Sequence, residues 1–132
     1  MTRQQLKRVR YLRPEIKFWE KKLDEMTVTI PGKGMDGMPH AASKGSAVES
    51  RAMKNMELKN RISEMKQELE RLELEITLWV TQIEDPFIRL IVQHRFLNGC
   101  SWDSTAAAIG PGTTSGSCKM ALNRWLEKEG IE

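Results

Sequence analysis

Four side chains are of the types that hold metals or attack substrates: His40, His94, Cys100 and Cys118. Structural zinc sites need ligand pairs a few residues apart, and these four lack that spacing. His94 falls in an apolar stretch, where a histidine usually belongs to the core, and His40 lies among glycines and prolines. The run GKGMDG lacks the Lys-Ser/Thr pair that closes a phosphate-binding loop, and no strand pattern precedes it. The carboxylates between residues 57 and 84 have basic partners at helical spacing, the pattern of a solvated face rather than of an acid–base pair. The expectation is a non-catalytic chain with no metal and no cofactor.

Another constellation suits nucleic acid. Thr113, Thr114, Ser115 and Ser117 place hydroxyls at the start of an expected helix, and Lys119, Asn123 and Arg124 follow on its outer face. A helix N-terminus favours a phosphate, Lys and Arg neutralise backbone charge, and Asn and Arg can reach base edges. Arg3, Lys7, Arg8 and Arg10 form a basic run that would also contact phosphate. Charge is unevenly divided. Residues 1–26 hold eight basic and four acidic side chains, residues 48–84 six against eight, and residues 85–132 five against five. The neutral C-terminal segment therefore needs the basic arm, dimerisation or a partner to gain affinity for DNA.

Three short amphipathic helices must position the hydroxyl and basic set. DPFIRLIVQHRFLNG opens with Asp85 as cap and Pro86 in the first turn, and it ends at Asn98-Gly99. Phe87, Leu90, Ile91, His94 and Leu97 are expected on its inner face. Ser101 caps the second helix, with Trp102, Thr105, Ala106 and Ile109 inward and Gly110 as its stop. Thr114 or Ser115 caps the third, whose Cys118, Ala121, Leu122 and Trp125 share a face at i, i+3, i+4 and i+7. A small helix, a tight turn and a helix with a polar outer face give the layout of a helix-turn-helix.

Upstream, Leu58, Ile62, Met65, Leu69, Leu72, Ile76, Trp79 and Ile83 repeat at alternating steps of four and three, a heptad seam. Val9, Leu12, Ile16, Trp19, Leu23 and Met26 form a matching stripe. The expected fold is all-α: a long antiparallel coiled-coil helical hairpin over residues 1–84, then a small three-helix helix-turn-helix domain over 85–132. Pairing of the seams between chains, giving a homodimer, is the rival arrangement. Pro14 interrupts the first stripe, so the long helix is expected to start near it after a short or frayed basic segment. The stretch from about 27 to 47, rich in glycine and proline, is expected to be a flexible connector or a docking segment anchored by Met35 and Met38.

Composition bounds the class. At 132 residues, 39% hydrophobic and 30% charged, the chain has room for one small domain with an extended element. It has no apolar run long enough for a bilayer and no signal-peptide pattern. The two cysteines are expected to be reduced thiols of a cytoplasmic protein.

The pieces RFLNGCSW, AAAIGPGTT and ALNRWL, within DPFIRLIVQHRFLNGCSWDSTAAAIGPGTTSGSCKMALNRWL, resemble the C-terminal region of small phage regulators of the RinA/ArpU type. The order of YLRPEIKFWEKKLDEM, a loop with GMP and a long coil extends the resemblance over nearly the whole chain. It implies a helix-turn-helix similar to region 4 of sigma-70 factors and a phage or prophage protein in a bacterial host. It further implies double-stranded DNA as partner, action on late-gene promoters and contact with host RNA polymerase. Gly116 and Cys118 depart from the pattern, which implies a frayed start to the last helix, since Gly costs about 1 kcal/mol against Ala in a helix. Two alternatives remain: a packaging component resembling a small terminase, or a coiled-coil interaction protein that does not bind DNA.

Overall fold

A computed structural model gives an all-helical chain, with five α-helices and no strand among the described residues. They are α1 Arg3–Gly34, α2 Ala41–Thr81, α3 Pro86–Val92, α4 Trp102–Ile109 and α5 Ser115–Lys128, and a π-helical turn at Gln93–Leu97 continues α3. The structure describes residues 1–34 and 41–132, with side chains described for 1–27 and 48–132. No described helix is long and apolar enough to cross a membrane.

Both long helices enter the stretch expected to be a loop from 27 to 47. Elongation adds one backbone bond per residue fixed, so Thr, Val or Gly weakens a helix by at most about 1 kcal/mol without ending it, and Pro31, at about 3 kcal/mol, is the costliest residue of that stretch that α1 takes in. Met35, Met38 and His40, with the docking role suggested for that segment, lie outside the described residues.

The chain forms two compact units, Pro14–Gln67 and Met1–Arg13 with Glu68–Glu132. The first turns of α1 and the last turns of α2 fall in one unit with the C-terminal helices. In the unit Pro14–Gln67, the seam residues Ile16 and Ile62 are buried, and Trp19, Leu23, Met26, Leu58 and Met65 are half-buried. Glu20 and Lys66 join α1 to α2 at 2.8 Å. Phe18, Met53 and Met56 of the same unit are exposed.

In the other unit, α1 starts at Arg3, not at Pro14. Thr2 and Gln5 make the reciprocal bonds of a capping box: the Gln5 N–H donates to Thr2 Oγ1 at 3.2 Å, and the Thr2 N–H donates to Gln5 Oε1 at 2.9 Å. Leu6, Val9 and Leu12 are buried. Their burial, at roughly 1.5–3 kcal/mol per large apolar side chain, offsets the roughly 3 kcal/mol that an interior proline costs, so the helix runs on through Pro14.

Leu72, Ile76, Val80 and Ile83 from the end of the coil share this core with Ile88, Ile91, Val92 and Phe96, and with Cys118, Leu122 and Leu126 of α5. Trp79 meets Trp125 with ring centroids 5.8 Å apart. The inner face of α3 is Ile88, Ile91 and Val92: of the expected Phe87, Leu90, Ile91, His94 and Leu97 only Ile91 is buried, and the face is turned toward Ile88 and Val92. Apolar residues surround this helix, so its periodicity permits either register; the observed one keeps the His94 ring out of the full core and leaves Leu90 exposed.

Local signals hold at the helix ends. Asp85 caps α3 by accepting the Phe87 N–H at 2.9 Å, and Ser101 caps α4 by accepting the Ser104 N–H at 3.1 Å. Between α4 and α5 the Thr113 N–H reaches the Gly110 carbonyl at 3.3 Å. Pro111 takes the second place of this turn and Gly112 the third at φ 85°, the arrangement of a type II turn. Gly110 itself, at φ 137°, ends α4 in a conformation that L side chains rarely adopt.

Candidate functional site

The start of α5 is fixed, contrary to the frayed start expected from Gly116. Thr114 Oγ1 accepts the Ser117 N–H and Ser117 Oγ accepts the Thr114 N–H, each at 3.1 Å, and the Ser117 hydroxyl donates to the Thr114 carbonyl at 2.9 Å. This capping box satisfies two otherwise orphan donors and outweighs the entropy cost of Gly116. It also engages two of the hydroxyls expected at an interface, Thr114 and Ser117. Thr113 and Ser115 are half-buried. Lys119, Met120, Asn123 and Arg124 are exposed, so the outer face of α5 is as expected.

The basic arm lies against α5 and the π-helical turn, but most of its guanidinium groups are engaged there. Arg3 donates to Asn123 Oδ1 at 3.1 Å and to the Ile131 carbonyl at 3.4 Å. Arg8 forms a two-pronged ion pair with Glu68, with its Nη2 at 3.0 Å from Oε2. That hydrogen bond holds the Glu68 carboxyl below its ordinary pKa despite partial desolvation. Arg10 Nη1 donates to the Cys100 carbonyl at 2.9 Å. Arg13, absent from the expected set, donates to the Phe96 carbonyl at 2.6 Å and to Glu73 at 2.8 and 3.0 Å. Arg3, Arg10 and Arg13 attach α1 to the C-terminal region, and Arg8 attaches it to α2, roles no local pattern announces.

Arg95 was not among the expected site residues, and Trp102 was expected only as an inward residue of α4. Arg95 Nη1 donates to the same Cys100 carbonyl at 3.1 Å, and its guanidinium carbon sits 4.4 Å from the centre of the Trp102 ring. Two cations thus converge on one neutral oxygen. Burial first, then the Arg10 charge, lowers the Arg95 pKa. Arginine nonetheless stays charged near neutrality, so the repulsion is borne as cationic potential. The turn after Phe96 brings Arg95 and Trp102 together across seven residues, and the packing of α1 brings in the distant Arg10.

Arg10, Arg95 and Trp102 line a cleft of about 310 Å³ with Lys7 and Lys119. A second cleft of about 520 Å³, bordered by Glu84, Asp85, Glu129 and Lys128, lies beside Trp79 and Trp125. Among the described residues, then, one cleft of this unit is cationic and another is predominantly acidic. No group of three or more His, Cys, Asp and Glu among the described residues could hold a metal ion. No protein-family model, curated protein or solved structure matches this chain.

Proposed function

We propose that the chain is a DNA-binding regulator of transcription that acts on phage or prophage late-gene promoters alongside the host polymerase. One observation carries the reading: α4, a glycine-punctuated turn and a firmly capped α5 with Met120, Asn123 and Arg124 exposed, set beside a cationic arm. α4 and α5 are the two helices of a helix-turn-helix, α5 enters the major groove, and Asn123 and Arg124 reach base edges or phosphates. The arm supplies positive charge that residues 85–132 lack.

The long helices form an antiparallel hairpin in this reading. Support comes from the ion pairs between α1 and α2 in each unit, Arg13–Glu73 in one and Glu20–Lys66 in the other, and from the short stretch of sequence joining them. Leu74 and Leu78, exposed one helical turn apart on α2, support a homodimer that would present two readers to two half-sites. The test is selection of bound fragments from sheared phage genomic DNA. Enrichment beside a late promoter is expected. Enrichment at a packaging site would transfer the chain to the terminase-like class, and no enrichment would reject DNA recognition.

A further inference from the structure

We infer that the cleft between the start of α1, the π-helical turn and α5 is a phosphodiester clamp, in which Lys7, Arg10, Arg95 and Lys119 hold the DNA strand that runs past α5. The inference rests on the DNA-binding reading and assigns that reading's backbone contacts. It moves them from the arm as a whole to this cleft, and it brings in Arg95.

The gathering of cations without carboxylate partners in one place singles the cleft out. Arg8, Arg13, Arg61, Lys66 and Arg71 each face a carboxylate within 4 Å. Lys7, Arg10, Arg95 and Lys119 have no such partner among the described residues, although they share one cleft. Pairing is the ordinary way to relieve cationic repulsion, and here Arg10 and Arg95 share the neutral Cys100 carbonyl, with Arg10 also reaching the Arg95 carbonyl at 3.4 Å. Their remaining guanidinium donors are unspent. Trp102 holds the Arg95 plane in place, which limits the entropy lost on binding. Leu6 and Leu122 form part of an apolar floor that strengthens attraction to an anion by excluding water.

Position favours a polynucleotide over an isolated small anion. Lys119 lies on the flank of α5, next to the outer face of Asn123 and Arg124, so a strand contacted by that face continues into the cleft. Lys7 and Lys119 are exposed at the cleft, whereas Arg10 and Arg95 are half-buried within it. A graded series of cations along an open cleft suits a chain of phosphates.

The experiment measures affinity for the selected fragment between 50 and 200 mM salt for the full chain, Lys7→Gln/Lys119→Gln, Arg95→Gln and the control Arg71→Gln. Lys7 and Lys119 are exposed and have no carboxylate partner among the described residues, so the double variant keeps the fold; a thermal melt checks this for Arg95→Gln. Each lost phosphate contact makes the slope of log K against log salt shallower by about 0.9. The double variant should lose about 1.8 from the slope, so the unaltered chain weakens about twelvefold more across this salt range. Arg95→Gln should lose about 0.9, and Arg71→Gln nothing. Unchanged slopes in the double variant and Arg95→Gln, with the unaltered chain still binding, would overturn the clamp, leave the DNA reading standing and free the cleft for an acidic protein segment. An equal loss in Arg71→Gln would also overturn it, as an effect of net charge. Failure of the unaltered chain to bind any fragment would overturn both.

Discussion

Arg13→Ala is expected to destabilise the unit built from Met1–Arg13 and Glu68–Glu132 more than any other change of an arm cation. Its guanidinium joins three parts of that unit: α1, Glu73 of α2 and the Phe96 carbonyl on the π-helical turn. The 2.6 Å bond to the carbonyl is charge-assisted and partly buried, worth about 1.5–3 kcal/mol. The ion pair with Glu73 is partly open to water, so it adds no more than about 1 kcal/mol. The sum, about 2–4 kcal/mol, corresponds to a fall in Tm of roughly 10–20 °C for a unit of this size. Thermal and urea unfolding followed by circular dichroism would measure it, with an unchanged m-value showing that stability alone had moved. Arg61→Ala is the internal control: that pair spans 3.5 Å on an exposed face, and its loss should cost less than about 0.5 kcal/mol. Arg13→Lys keeps the charge without the fork and should recover only part of the loss. An Arg13→Ala chain within about 0.5 kcal/mol of the unaltered one would refute the claim that this arginine holds α1 in place.

Thr105 is fully buried and its hydroxyl has no hydrogen-bond partner among the described residues, so Thr105→Val should stabilise by about 1 kcal/mol in a thermal melt; a loss of stability would show that the hydroxyl is satisfied. The Glu68 carboxyl is held below its ordinary pKa by Arg8, so its contribution is present above the unfolded value near 4.3 and lost as pH falls through the lower folded value. The unaltered chain should therefore lose stability in acid more steeply than Glu68→Gln, and parallel acid titrations of the two would contradict the assignment. Burial raises the pKa of the inaccessible Cys118 thiol, whereas Cys100 is half-exposed, so alkylation near neutral pH should label Cys100 alone until the protein unfolds. Mass spectrometry of the labelled peptides reads this directly, and early labelling of Cys118 would contradict the packing of α5.

Features set by nearest neighbours were legible in the sequence. Asp85, Ser101 and Thr114 cap their helices because a short oxygen-bearing side chain can reach a backbone N–H two or three residues on. Ile62, Leu72, Ile76 and Ile83 are buried where the heptad seam placed them. Two of the expectations that failed did so because local rules left a choice. The register of α3 was ambiguous in a helix with apolar residues on several sides, and Pro14 marks a helix start only where tertiary contacts do not hold the preceding turns. The cleft was the least legible part. Arg10 and Arg95 meet through the Cys100 carbonyl, a contact that depends on how α1 packs against the π-helical turn rather than on any spacing. Lys119 was legible as part of an exposed polar face, and the structure adds the company it keeps.

The central claim is that the outer face of α5 recognises a DNA sequence. Its most direct test is the ratio of affinities for the selected fragment and for random DNA, measured with Arg124→Ala and Asn123→Ala. If this face contacts base edges, each variant should lose about 1–3 kcal/mol on the selected fragment, with much less lost on random DNA, so the ratio falls about tenfold or more. Equal losses on both DNAs would contradict the claim and reduce α5 to a backbone contact.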